Sequence, residues 1–184
     1  MSLVERAKDI VLTPQTEWTA VDREASEVGD LFANYVAVLA AIPVICGLIS
    51  RVLVGVPLGT ALEIAIAGYV LSFLAVYVMA FIVDRLAPIF AGHSDFESAL
   101  KLVVYSATPI WLSGIFHLIP ALGFLTLLGI LDAVYLLWSG IPALMRSPRD
   151  RALPYAGVVI LCLIVVVAVF KLLESQLIGV SAVM

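Results

Sequence analysis

Four stretches of the chain, Leu31–Ser50, Ile64–Val83, Leu102–Leu131 and Ala152–Phe170, carry no Asp, Glu, Lys or Arg. Roughly 20 apolar residues rising about 1.5 Å each cross a hydrocarbon core, so runs of this length predict transmembrane helices. The third run is too long for one span, and Gly114, His117 and Pro120 stand where a helix would break. It divides into a helix over about 99–117 and another over about 120–145, followed by a fifth over about 153–175. Five spans place the two termini on opposite sides of the bilayer.

Ahead of span one the pattern changes. Ser2-Leu3-Val4-Glu5 has capping-box spacing. Leu3, Ala7, Ile10 and Val11 then recur on one helical face, opposite Glu5, Arg6, Lys8 and Asp9. Thr13-Pro14 ends this helix and suits the start of a second, and Trp18 suits the headgroup layer. Residues 2–12 are expected to lie as an amphipathic helix on the cytoplasmic membrane surface. Docking of this helix to a protein partner is the alternative. Asp22, Glu24, Glu27 and Asp30, set against Arg23, form an acidic approach to span one. It would either attract a basic partner or remain solvated. The predicted architecture is all-α: a polytopic five-helix transmembrane bundle over 29–178, with an amphipathic interfacial segment over 1–28 and a short extracytoplasmic tail over 179–184.

Composition agrees. At 63% hydrophobic, 13% charged and mean hydropathy +1.15, 184 residues cannot bury that much apolar surface from water, so lipid must solvate much of the chain. The chain opens on mixed charge, so span one is expected to act as its own insertion signal. Charge sets the orientation. Arg6, Lys8, Arg23, Arg85, Lys101, Arg146, Arg149 and Arg151 fall on one side and Arg51 and Lys171 on the other. The positive-inside rule then puts the N-terminus in the cytoplasm and the C-terminus outside.

Small residues mark helix contacts in membranes. Span two carries Ala61, Ala65, Gly68, Ser72 and Ala75, and span one carries Ala33, Ala37, Ala40 and Gly47. Both are expected to be central, whereas span five, dense in Val, Leu and Ile, should face lipid. Pro43, Pro109 and Pro142 should kink their helices, as hinges or as static bends.

Asp132 near mid-depth of span four is the hardest residue to explain by packing alone. A carboxylate there costs about 2.5–3.5 kcal/mol on insertion scales, so it should face the protein interior or water. Gly129, Tyr135 and Ser139 lie near its helical face, and span three offers Tyr105, Ser106 and Thr108 around Pro109. One reading is a titrating proton or cation site; the other is a hydrogen-bonded group that fixes packing.

Other chemistry is absent from the pattern. Cys46 and Cys162 lack partners at ligand spacing and read as small apolar residues. His93, Ser94 and Asp95 lie in a loop, and local order does not make a triad. No HExxH, GxSxG or Walker A motif occurs. No catalytic residue, metal or cofactor is predicted, and an enzyme is the least supported class. Arg146, Arg149 and Arg151 read as a topology anchor that could touch anionic headgroups, not as a nucleic-acid site.

The order of several short motifs resembles the Yip (Ypt-interacting protein) domain family, in its small YohC-type bacterial inner-membrane branch. These are Thr13-Pro14 with Trp18; Asp30-Leu31-Phe32; Ala41-Ile42-Pro43-Val44-Ile45-Cys46; Tyr105-Ser106-Ala107-Thr108-Pro109 with Ser113-Gly114; and Gly140-Ile141-Pro142. Eukaryotic members often read Gly-Pro where Ala33-Asn34 follow Phe32 here, and they carry a longer region before span one. The resemblance implies a multi-pass protein with a cytoplasmic N-terminus. Eukaryotic relatives bind Rab-type GTPases, an activity that does not transfer to a bacterium. The resulting expectation is a non-enzymatic inner-membrane protein that organises protein partners or lipids. It would do so as a possible homo-oligomer, or through a cytoplasmic partner on the N-terminal helix and the 84–101 loop. The alternative is a small transporter or channel using Asp132.

Overall fold

The computed structural model describes residues 2–24 and 28–181, the side chains at 120, 174 and 176–181 excepted. Glu27 of the acidic approach and residues 182–184 of the expected tail lie outside the described residues. Two short helices, α1 (Leu3–Leu12) and α2 (Pro14–Arg23), form a hairpin. Five long ones follow: α3 (Val28–Leu53), α4 (Leu58–Leu86), α5 (Phe96–Ser113), α6 (Thr126–Leu144) and α7 (Arg149–Ser181). All five are long and apolar enough to cross a membrane, and no strand occurs among the described residues.

The break expected inside the third apolar run is present. After α5 the chain tightens into 3₁₀ turns at Gly114–Leu118 and Pro120–Leu125 before α6 begins. Gly114 permits this turn to press on α3, because a Cβ there would lie 2.7 Å from the Pro43 Cα. The start of α3 is a wide π turn over Leu31–Val36, which brings Leu31, Tyr35 and Val36 all inward.

The centre of the bundle is α5, and here the expectation drawn from small residues needs correction. In its apolar window 67% of residues are buried, against 22% in spans one, two and four and 11% in span five. Spans one and two are therefore flanks. Ala61 and Ala65 of the span-two stripe are buried, but Gly68 faces open space and Ser72 bonds its own helix at the Tyr69 carbonyl. In span one Ala40 is buried while Ala33 is exposed. The reason is polar content. Tyr105, Ser106, Thr108 and Ser113 of α5 are all buried, and lipid could hydrogen-bond none of them. Span five is the least buried of the five, in keeping with its composition.

At the end where α4 and α7 meet, short polar contacts hold the loops. The buried Asp84 carboxylate accepts from Ser94 Oγ at 2.6 Å, and His93 N–H donates to the Met145 carbonyl at 2.7 Å. Ser147 Oγ donates to the Phe90 carbonyl at 2.7 Å, and the Tyr155 ring stacks on Phe90 at 4.9 Å. The Tyr155 hydroxyl donates to the Val83 carbonyl. Hydrogen bonds from the Ser98 hydroxyl and backbone hold the Asp95 carboxyl below its ordinary range, as suits the N-cap of α5.

Candidate interfacial binding groove

The six polar residues singled out around Asp132 do not converge. Tyr105 packs edge-on against Tyr35, ring centroids 5.0 Å apart, and Thr108 Oγ1 lies 2.9 Å from the Tyr35 hydroxyl. Ser106 is buried with no hydrogen-bond partner for its hydroxyl among the described residues. Ser139 accepts from Trp18 Nε1 at 3.1 Å. Asp132 is half-buried and makes no hydrogen bond or ion pair among the described residues, and Tyr135 is exposed beside Trp138. The inward ridge of α6 is Gly129, Ala133, Leu136, Leu137 and Gly140. It is offset by one residue from the face expected through Asp132, because close packing selects Gly and Ala over a carboxylate and a phenol.

What does converge is a charged clamp on the N-terminal hairpin. Arg6 is 7% exposed, and its guanidinium donates to the carboxylates of Glu17 and Glu24 while lying 5.8 Å over the Tyr105 ring. Lys101, 4% exposed, pairs with Glu97 at 2.7 Å and donates to the Glu24 carbonyl. A buried cation without partners would be strongly unfavourable, and the guanidinium fork suits two carboxylates at once. The network therefore fixes the hairpin's position against α5. The same holds for the aromatic anchor. Trp18 was expected at the headgroup layer but is 1% exposed, seated over Gly140, where a Cβ would lie 2.7 Å from its ring.

Part of this was visible in the sequence. The reading that set Arg6 opposite the apolar face of α1 is corrected: Arg6 stands four residues before Ile10, so the two share a face, and both are buried with Ala7. A glycine within span four was the other signal for close approach. The capping box is formed: Ser2 Oγ accepts from Glu5 N–H at 3.2 Å, and Glu5 accepts from Ser2 N–H at 2.9 Å. These bonds also lower the Glu5 pKa.

Docking of the hairpin leaves a groove of about 860 Å³ between α2, α6 and the start of α7. Its aromatic lining is the buried Trp18 with the exposed Tyr135 and Trp138. Its rim carries Gln15, Thr19 and Arg149, all exposed. Ser139 and Tyr135 mark its approach toward Asp132, which is not among the lining residues.

Similarity to known proteins bears on this arrangement. The Yip1 domain model matches residues 8–170, which include α2, the clamp partners Glu17, Glu24 and Lys101, and all the groove residues named above. Inner membrane protein YohC of Escherichia coli K12 is 26% identical over 157 residues, covering 78% of this chain and 80% of that protein. Its counterpart in E. coli O6:H1 strain CFT073 matches to the same extent. No solved structure matches. With the family model spanning most of the chain and five helices able to cross a bilayer, this protein belongs to the Yip1 domain family of multi-pass membrane proteins.

Proposed function

We propose that the protein is a non-enzymatic organiser of the bacterial inner membrane that gathers protein partners or lipids at its cytoplasmic end. The observation that carries this reading is the clamp. Arg6, Glu17, Glu24 and Lys101 hold the hairpin rigidly on the bundle while Val4 and Leu12, 73% and 66% exposed, point away from it. A fixed hairpin with outward apolar side chains suits contact with a partner or with the bilayer surface. The eight-to-two division of Lys and Arg supports a cytoplasmic N-terminus and an extracytoplasmic C-terminus. The printed name of the E. coli relative supports the inner membrane. Open space beside Gly68 on α4 suits a second copy of the chain.

Deleting residues 2–12 would strip Arg6 from the buried Glu17, so the test uses exposed positions. A photo-crosslinking residue at Leu12 should give discrete protein or lipid adducts in native membranes, and one at Val165 on the lipid face of α7 should give lipid adducts alone. No adduct at Leu12 in folded protein would overturn the reading.

The second reading is a small transporter or channel, favoured by the half-buried Asp132 that lacks a hydrogen-bond or ion-pair partner among the described residues. Proton or cation flux in proteoliposomes that vanishes in Asp132→Asn supports it. The same absence of flux in wild type and variant counts against it.

A further inference from the structure

The groove beside Trp18 presents hydrogen-bond donors and aromatic faces, and no carboxylate is among its lining residues. Arg149 makes no ion pair among the described residues, and the neighbouring Asp150 lies 3.9 Å from Arg151. On the opposite wall Gln15 and Thr19, one turn apart on α2, have side chains that form no hydrogen bond among the described residues. The exposed rings of Tyr135 and Trp138, centroids 6.2 Å apart, offer faces apolar enough for a glycerol backbone and the first acyl carbons.

Depth decides what kind of anion fits. Span four ends at Leu144 and span five begins at Arg149, so a groove reaching from Tyr135 to Arg149 runs from within the hydrocarbon to the headgroup layer. With the orientation proposed above, that layer belongs to the cytoplasmic leaflet, where anionic lipids concentrate. Its volume is within the range of small-molecule sites, about 300–1,000 Å³.

We infer that the groove holds one anionic glycerophospholipid. Its phosphodiester is bound by Arg149 with Gln15 and Thr19, and its glycerol end lies against Tyr135 and Trp138. This rests on the lipid-organising reading and gives it a site and a ligand class. Arg149 is the selective element, because a guanidinium matches two phosphate oxygens. Arg151, two residues on and engaged by Asp150, serves as the internal control.

The full-length protein is placed in neutral phosphatidylcholine vesicles, and tryptophan fluorescence is followed as brominated phosphatidylglycerol or brominated phosphatidylcholine is added. Trp18 and Trp138 line the groove, so preferential quenching by the anionic lipid is expected. Its apparent affinity should fall about fivefold or more in Arg149→Gln and hold in Arg151→Gln. Ala143→Phe, which fills the groove, should abolish the preference with helix content unchanged. Equal quenching by the two lipids in wild type overturns the site. Equal losses in Arg149→Gln and Arg151→Gln also overturn it, assigning the preference to diffuse surface charge. Full displacement of the lipid by millimolar glycerol 3-phosphate overturns the lipid as ligand in favour of a free phosphate. Lost preference with Leu12 adducts intact removes the groove alone, whereas lost adducts with preference intact remove the partner reading alone.

Discussion

Spans three and five are both membrane helices, but they are built on opposite terms. The apolar window of α5 has a mean hydropathy of 1.4 and is 67% buried, whereas that of α7 has 3.0 and is 11% buried. Within a bilayer the most apolar helix needs no protein around it, because lipid solvates it as well as a neighbour would. The least apolar helix goes to the middle, where other helices supply hydrogen bonds. Tyr35, Trp18 and Arg6 all reach α5 or its contacts, and none of these partners comes from α7. The buried residues of α7, Ala152, Tyr155, Ala156 and Val159, sit in its first turns, where it meets α4 and α6. At these two extremes higher hydropathy goes with greater exposure, the reverse of its meaning in a water-soluble core.

The sharpest way to break that contrast is to remove a partner from the polar centre. Arg6→Met leaves Glu17 buried without its cation, and an expected loss of about 3–5 kcal/mol should appear as a lower unfolding temperature in detergent. Arg6→Met combined with Glu17→Leu should recover most of it. The exposed pair at the head of α7 should behave otherwise, since Arg151→Met loses about 0–1 kcal/mol.

Gly140→Val tests the close approach that seats Trp18. Overpacking there should cost about 1–3 kcal/mol and shift Trp18 fluorescence to the red as the ring leaves its slot. Tyr35→Phe removes one hydroxyl facing Thr108 beside α5 and should cost about 0.5–1.5 kcal/mol, with Thr108→Val adding little once it is present.

Asp95→Ala removes the N-cap of α5, at about 1 kcal/mol near neutral pH. The folded Asp95 pKa lies below its ordinary value of 3.8, so the ionised cap stabilises above that value and fades as pH falls through the folded pKa. A difference between wild type and variant that persists at the acid end would exclude the charge as its source. The smallest effect belongs to span five: Val165→Ala should move stability by no more than about 0.5 kcal/mol, because lipid meets either side chain. A larger loss would mean that this face packs against another protein surface.

The five spans were legible because apolar runs of bilayer length permit few alternatives, and Gly114 and Pro120 marked the one division among them. The helix bounds moved by a few residues, and by six at the start of α6, which begins at Thr126, not near 120, because Pro120–Leu125 form a 3₁₀ turn. The ordered motifs around Trp18, Pro43, Tyr105 and Gly140 were enough to suggest the Yip family. Their roles were not legible. Trp18 was read from its affinity for headgroups, and Arg6 was set on the polar face of α1. Trp18 is held by the slot at Gly140, and the placing of Arg6 fails because two carboxylates reach it from α2 and its C-terminal flank.

By itself, then, the sequence determined the solvent of this protein, the number of crossings and the family, because these follow from run length, charge content and motif order. The tertiary structure decided which helix stands at the centre, which polar residues meet and where a groove opens. Those outcomes depend on pairs far apart in the chain, such as Arg6 with Glu17, Trp18 with Ser139 and Tyr35 with Thr108. Asp132 shows why: its distance from the membrane surfaces can be read along one helix, but a shift of one residue around that helix, set by Gly129 and Ala133 packing inward, turned it from the interior to the flank.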